Sequence, residues 1–336
     1  MCEVSVIMPT FNKALYLDLT LAGFSIQNYK DYEIVIIDDG STDNTFEVVE
    51  KYKGICNIKF KYQSNHGRSH ARNNGLQIAQ GKYIIFNDDD RIPSPDFINQ
   101  HLNTLKHTSK VVSIGSKHSI LSFYTDKLRT HQSYFLKLLE RDPSKLNKIL
   151  TNGNSPLFSV NELIHNFKDI ISEWYLYEPR DNFKDISSNY SQCLEGFLFG
   201  WALATTGNMS FTREDSYGLR FDENYEGWGL EDTDFAYQLH LKGCKFNLSP
   251  SAVNFHQVHG RGIGEWHQLK RNIKYFCNKY ENIDTYLFAQ VFEEVKGKKD
   301  FSFIEANEVL IKLLSIPNDD SLIKNYIRLC KLQING

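Results

Sequence analysis

Apolar positions in the first 115 or so residues switch repeatedly between short unbroken runs and a helical period. Val4-Ser5-Val6-Ile7-Met8 is a run stopped by Pro9, and Leu15, Leu19, Ala22 and Ile26 then recur at helical spacing on one face. Tyr32-Glu33-Ile34-Val35-Ile36-Ile37 is apolar enough for a strand buried on both faces. Gly40-Ser41-Thr42-Asp43 turns the chain, with Ser41 or Thr42 placed to cap a helix that runs to about Lys53 and stops at Gly54. A weaker strand pattern (Ile58 to Tyr62) leads to a helix near Ser69 to Gln80, ended by Gly81, and Lys82 to Phe86 is the next strand. Ser94-Pro95 opens a further helix through Leu105, with proline where its missing N–H does no harm. Such strand–helix alternation predicts an α/β fold with a mostly parallel sheet flanked by helices.

From 116 to 205 the periods are mixed, and aromatics gather at Trp174, Tyr175, Tyr177, Phe197, Phe199 and Trp201. An aromatic insertion of this kind suits either the wall of a substrate pocket or the core of a helical subdomain. Regular pattern returns at Asn208 to Phe211, at Gly227-Trp228-Gly229-Leu230-Glu231-Asp232, in a helix carrying Phe235, Ala236 and Leu239, and in a strand at Cys244 to Leu248. Residues 266–336 read as a charged helical extension with no chemistry of its own.

Bulk properties narrow the classes. The 336 residues are 41% hydrophobic and 13% aromatic, ample for a buried core. A formal charge of −3 argues against a general nucleic-acid binder. No apolar run approaches the roughly 18 residues that span a bilayer, and the N-terminus lacks a signal-peptide pattern, so a cytoplasmic protein is expected. The six cysteines include no C-x-x-C pair, so free thiols are expected rather than a zinc site or disulfide framework.

The candidate chemistry lies in acids at strand ends. Asp38 and Asp39 follow the second strand, and Asp88, Asp89 and Asp90 follow the strand ending at Phe86. In a parallel sheet those loops share the ligand-binding edge. Three adjacent aspartates repel one another unless a cation sits among them, and a hard divalent ion such as Mg²⁺ or Mn²⁺ would serve. Glu231 and Asp232 open a helix behind a Gly-Trp-Gly turn, where a carboxylate is placed to accept a proton and the helix dipole favours its ionised form. His256 and His259, in Phe255-His256-Gln257-Val258-His259-Gly260-Arg261-Gly262, are candidate metal ligands.

Taken in order, VSVIMPTFN (Val4 to Asn12), IVIIDDGSTD (Ile34 to Asp43), GRSHARNNG (Gly67 to Gly75), GKYIIFNDDD (Gly81 to Asp90), Asn208 to Phe211 and GWGLEDTD (Gly227 to Asp234) closely resemble the family 2 glycosyltransferases. The resemblance covers about residues 4–115 and 205–260. It implies a GT-A domain over 1–265, comprising a nucleotide-sugar-binding half (1–115), an insertion shaping the acceptor site (116–205) and a half holding the catalytic base and metal histidine (206–265). The helical extension (266–336) follows. It further implies an inverting hexosyl- or N-acetylhexosaminyltransferase using a UDP-sugar and Mn²⁺ or Mg²⁺ on a glycan, lipid-linked or peptide acceptor, and leaves room for peripheral membrane association. By the same resemblance Pro9, Thr10 and Asp39 would line the nucleoside pocket, Arg72 would sit near base or diphosphate, and Asn12, Gly67 and Trp228 would complete the donor site. Asp88 and Asp90 would match the Asp-x-Asp pair, with His256, or alternatively His259, completing the metal site. Asp232 would be the base, with Glu231 beside it. Asn87 stands where relatives carry an apolar residue, a departure expected to leave the acids unaffected.

Two other classes compete. A nucleotidyltransferase also handles nucleotide phosphates on such a sheet, but usually with a glycine-rich, lysine-bearing loop that Pro9-Thr10-Phe11-Asn12 is not. There is likewise no G-x-x-x-x-G-K-S/T or G-x-G-x-x-G. A non-catalytic carbohydrate-binding protein on the same fold would not need Asp88, Asp90 and Asp232 intact.

Overall fold

A computed structural model describes residues 2–124, 136, 139–140, 142–144, 156–176, 182–260, 265–292, 301–316 and 320–335. Tyr177 of the aromatic group, and Arg261 and Gly262 of the histidine loop, lie outside the described residues.

The chain opens with β1 (Val4–Thr10), α1 (Ala14–Ser25), β2 (Tyr32–Asp38), α2 (Thr45–Tyr52), β3 (Ile58–Tyr62), α3 (Arg68–Ile78) and β4 (Tyr83–Phe86). Strands β3, β2, β1 and β4 lie side by side in that order, all parallel. All seven β2 residues are buried, Glu33 and Asp38 included, whereas β3, which reads weakly, is the half-exposed edge. Residue alternation sends Ile7, Val35, Ile37, Ile84 and Phe86 into one core. Val6, Met8, Ile34, Ile36 and Ile85 enter the core on the other face. Each such fully buried side chain contributes roughly 1.5–3 kcal/mol.

Two local readings are corrected. Leu15 is 55% exposed while Leu17, Leu21 and Phe24 are fully buried, because α1 is enclosed on most sides rather than along a single stripe. Neither Ser41 nor Thr42 caps α2; Asp43 Oδ1 accepts from Thr45 N at 3.1 Å, while its Oδ2 accepts from Ala14 N at 3.0 Å at the start of α1.

The second half of the sheet is mixed. It contains β5 (Arg91–Pro93), β6 (Val111–Ile120), β7 (Tyr175–Leu176), β8 (Met209–Thr212) and β9 (Lys245–Gln257). β8 joins β4 to β6 by antiparallel pairing on both sides. β9 runs parallel to β6 and antiparallel to the three-residue β5. α4 (Phe97–Leu105) lies between β5 and β6, α5 (Val160–His165) and α6 (Phe167–Trp174) precede β7, and α7 (Asn182–Asn189) and α8 (Gly200–Leu203) precede β8. Four of the aromatic group are core, split between the two faces: Trp174 is fully buried in one cluster, and Phe197, Phe199 and Trp201 are buried in the other, while Tyr175 is half-buried. After α9 (Glu231–Leu241) and β9 come α10 (Glu265–Tyr280), α11 (Ile283–Val291), α12 (Phe303–Leu314) and α13 (Asp320–Asn335). Phe276, Tyr286, Phe288 and Phe303 from these helices join the cluster that holds Trp201 and Phe86. All six cysteines are free thiols. Among the described residues no helix is long and apolar enough to cross a membrane.

Candidate active site

Because β1, β2 and β4 are parallel, the loops after Thr10, Asp38 and Phe86 open on one edge. Asn12 adopts a left-handed φ of +51°, which asparagine tolerates better than most residues, and stitches two of these loops together. Its N–H donates to Ser41 Oγ at 2.9 Å and its Oδ1 accepts from Thr42 N at 2.8 Å. The acids of Asp-Asp-Gly-Ser-Thr-Asp then divide their work. Asp38 accepts from Ser41 N and closes the turn, while Asp43 caps helices. Buried Asp39 gathers the loop before α3: Oδ1 accepts from Gln63 Nε2 at 2.7 Å and His66 N at 2.8 Å, and Oδ2 accepts from Gly67 N at 2.8 Å. Thr10 is buried and Pro9 half-buried at the end of β1, and Thr10 O accepts from Asp39 N.

The three consecutive aspartates are neutralised separately. Asp88 lies between two guanidiniums, with Arg72 Nη2 at 3.3 Å and Arg91 Nε at 3.5 Å. Asp89 is pushed up to about 7 by burial and then by the neighbouring Asp90 charge. Asp90 Oδ2 faces His259 Nε2 at 2.9 Å, Lys13 Nζ at 3.2 Å and His256 Nε2 at 3.8 Å. Burial opposes the charge on Asp90, but the two imidazoles and Lys13 outweigh it and hold its carboxyl well below the usual carboxylate range. Burial pushes His256 down to about 3, so its ring is neutral near pH 7 and free to act as a metal ligand. Much of the cationic compensation expected from an ion is thus supplied by side chains.

Asp90, His256 and His259 offer ligand atoms that all lie within 4.8 Å of one another, an arrangement able to hold a metal ion. The β5–β9 ladder produces it: Arg91 pairs with His256 in register, and Gln257 N donates to Asp90 O at 2.8 Å. Asp88, expected to share the ion, does not belong to this cluster; its carboxylate is committed to Arg72 and Arg91. Both candidate histidines belong to it.

Arg72 was expected near the base or diphosphate. Its guanidinium lies between the two acidic groups, fully buried, with Nη1 donating to Glu231 Oε1 at 2.9 Å and Nη2 to Asp88 Oδ1 at 3.3 Å. Arg91, Asp88, Arg72 and Glu231 therefore alternate in charge across the edge and bring the start of α9 to the sheet. Asp232, next to Glu231, is half-exposed and pushed up to about 6, chiefly by burial and then by the Glu231 charge, against the opposing effect of Arg72. Desolvation and a like charge thus outweigh the helix dipole in setting its pKa, yet a carboxyl at about 6 is still mostly ionised at neutral pH. Trp228 is half-buried and its N–H donates to Gln268 Oε1 at 2.8 Å.

Sequence reasoning missed several supporting residues. Asn87, expected to be without consequence, is fully buried and donates from Nδ2 to Asp88 O and Arg91 O, both at 2.9 Å. Asn254 Nδ2 donates in turn to Asn87 Oδ1 at 2.8 Å and Gly207 O at 2.6 Å. The departure from the family pattern, already visible in the sequence, was the available signal. Arg91, directly after the aspartate triplet, carried a similar one, whereas Lys13 follows Asn12 and meets Asp90 only in the fold. A cleft of about 570 Å³ between α3 and residues 213–220 contains none of these acids.

The model described as glycosyl transferase family 2 matches residues 5–162, and one described as the N-terminal domain of galactosyltransferase matches residues 195–260. The chain belongs to the family 2 glycosyltransferases. This glycosyltransferase is 28% identical over 291 residues to the uncharacterized glycosyltransferase YfnE of Bacillus subtilis, covering 84% of this chain and 71% of that one. It is also 28% identical over 310 residues to chondroitin synthase of Escherichia coli, covering 86% of this chain but only 41% of the synthase. A crystal structure of S. aureus TarS 1-349 in complex with UDP-GlcNAc superposes with a TM-score of 0.57 at 17% identity, covering 99% of this chain and 89% of that one. That likeness is one of fold, and the fold is GT-A-like.

Proposed function

We propose that this glycosyltransferase moves a sugar from a UDP-sugar donor to a glycan hydroxyl in a single inverting displacement. The observation that carries the reading is the meeting, on one sheet edge, of the Asp90–His256–His259 cluster with Asp232, joined through the Arg72 ion chain. Membership of the family supports the transfer chemistry. The UDP-GlcNAc complex of TarS supports the donor class, and the chondroitin synthase relative supports a glycan acceptor.

Asp39, Pro9, Thr10, Asn12 and Gly67 form the nucleoside end of the site in this reading. Asp39 Oδ2 keeps accepting capacity beyond Gly67 N, which suits an imide N–H of a pyrimidine. Asp88, held between two guanidiniums, is oriented toward the ribose side of the donor. A divalent ion held by Asp90, His256 and His259 would neutralise diphosphate charge as the nucleotide departs. Two imidazoles beside one carboxylate suit Mn²⁺ better than Mg²⁺, which favours all-oxygen ligation. Asp232 takes the proton of the attacking hydroxyl, and a carboxylate whose pKa stands near 6 is a stronger base than an ordinary aspartate while still ionised at neutral pH. Glu231 and Arg72 fix its surroundings.

The test is nucleoside diphosphate release from a panel of nucleotide sugars with Mn²⁺ or EDTA. Metal-dependent release from one donor supports the reading and names the sugar. No release, together with no metal-dependent UDP binding, would overturn it in favour of a non-catalytic role.

A further inference from the structure

The helical extension carries no recognisable motif, yet its first helix grips the loop that presents the proposed base. Between Glu226 and Asp232 the backbone is left-handed at Gly227 (φ +74°), Gly229 (φ +95°) and Leu230 (φ +77°). Two glycines accept that conformation readily, whereas Leu230 does not and must be held there by its surroundings. Leu230 is the residue immediately before α9, so its backbone angles aim the helical turn that carries Glu231 and Asp232.

What holds the loop comes from α10. Asn272, 3% exposed, turns its Nδ2 to three carbonyls, Gly229 O at 2.8 Å, Glu226 O at 3.2 Å and Trp228 O at 3.3 Å. Gln268 Oε1, one helical turn earlier, accepts from Trp228 N at 2.8 Å. The fit is close, since a Cβ on Gly227 would lie 2.4 Å from Gln268 Oε1. The far end of α10 holds the same helix again, Lys279 Nζ and Tyr280 Oη lying 2.8 and 2.9 Å from buried Asp234 Oδ1.

We propose that Asn272 and Gln268 are positioning residues for the transfer reaction: they hold the Gly227–Leu230 loop in its left-handed path and thereby aim Asp232 at the acceptor. The proposal rests on Asp232 being the base, and it gives the C-terminal extension a part in catalysis without contact with substrate.

The two side chains act with opposite polarity, which makes a specific test. Asn272 works as a donor, so Asn272→Asp, nearly the same shape, turns an acceptor toward three carbonyls. Gln268 works as an acceptor, so Gln268→Glu keeps its bond to Trp228 N–H. Three quantities are measured on the full chain: UDP release from the UDP-sugar panel with Mn²⁺, UDP affinity with Mn²⁺ by calorimetry, and amide hydrogen exchange across 222–234. Asn272→Asp is expected to slow release at least tenfold, leave UDP affinity within about threefold and speed exchange in this segment. Gln268→Glu should stay within about threefold of the parent in all three. Equal losses in both variants, a turnover loss matched by lost UDP affinity, or exchange that speeds without a turnover loss would overturn the proposal. Should Asn272→Asp fail to fold, Gln268→Leu against Gln268→Glu repeats the comparison. Silence of the parent protein across the panel, together with no metal-dependent UDP binding, would instead refute the proposed function. The exchange measurement then decides this inference, and unchanged protection in Asn272→Asp would overturn it.

Discussion

Replacing Arg72 tests whether its ion chain sets both the stability and the basicity of the site. Arg72→Met keeps the aliphatic stem and removes a guanidinium whose side chain is 5% exposed, paired with Glu231 (8% exposed) at 2.9 Å and with Asp88 at 3.3 Å. At an effective dielectric near 20, a charge pair about 4 Å apart is worth about 4 kcal/mol. Removing one partner of a buried pair typically destabilises by about 3–5 kcal/mol, because the remaining charge is left uncompensated. Glu231 would be that charge. The expected result is a loss of about 3–5 kcal/mol in chemical denaturation for Arg72→Met. The double variant Arg72→Met/Glu231→Gln should recover at least about 2 kcal/mol of it, since neighbours in one network are not additive. Catalysis gives a second readout. Arg72 lowers the Asp232 pKa and Glu231 raises it, so the acid limb of the pH–rate profile should move up from about 6 in Arg72→Met and down in Glu231→Gln. Strict additivity in the double variant, or limbs that move together, would refute the reasoning.

Further outcomes follow from the same geometry. Asp232→Asn should reduce transfer by at least a thousandfold while UDP affinity stays within about threefold, because the base acts on the acceptor; near-normal turnover would exclude it. In the parent protein kcat/KM should rise with pH through about 6, as Asp232, raised above the usual carboxylate range, loses its proton only there; a flat profile from pH 5 to 7 would count against it. EDTA should abolish release and Mn²⁺ should restore it better than Mg²⁺. His256→Ala and His259→Ala should each raise the Mn²⁺ concentration needed for half-maximal rate by at least tenfold, and a titration showing only one of them affected would reduce the cluster to a single imidazole.

What could be read in the sequence was local and periodic. The parallel half of the sheet follows from runs such as Ile34–Ile37, because burial on both faces demands uninterrupted apolar residues. Acids placed after such runs fall on the ligand edge as a matter of topology. What could not be read depended on partners distant in sequence. β5 is three residues long and contains a proline, so it has no periodicity to detect, yet its pairing with β9 brings His256 to Asp90. The roles of Asn272 and Gln268 arise from bonds to a loop about 40 residues upstream. The aromatics at 174–201 illustrate the converse, since ring-rich segments look alike whether they line a pocket or fill a core, and here Trp174, Phe197, Phe199 and Trp201 fill the two cores.

Asn87 shows how a departure from a family pattern is to be weighed. An apolar side chain there would fill the same volume but take the amide donor from Arg91 O and one of two donors from Asp88 O, and it would strip Asn254 Nδ2 of one of its two acceptors. A buried amide hydrogen left without its acceptor costs roughly 1–3 kcal/mol, so Asn87 and Asn254 support one another. Their bonds fix the carbonyl at each end of the turn carrying Asp89 and Asp90. The polar substitution is therefore coupled to the acids it precedes, through the backbone on which they are mounted. Relatives with an apolar residue at this position should lack the asparagine at the place of Asn254, because one of its buried amide hydrogens would lose its acceptor there.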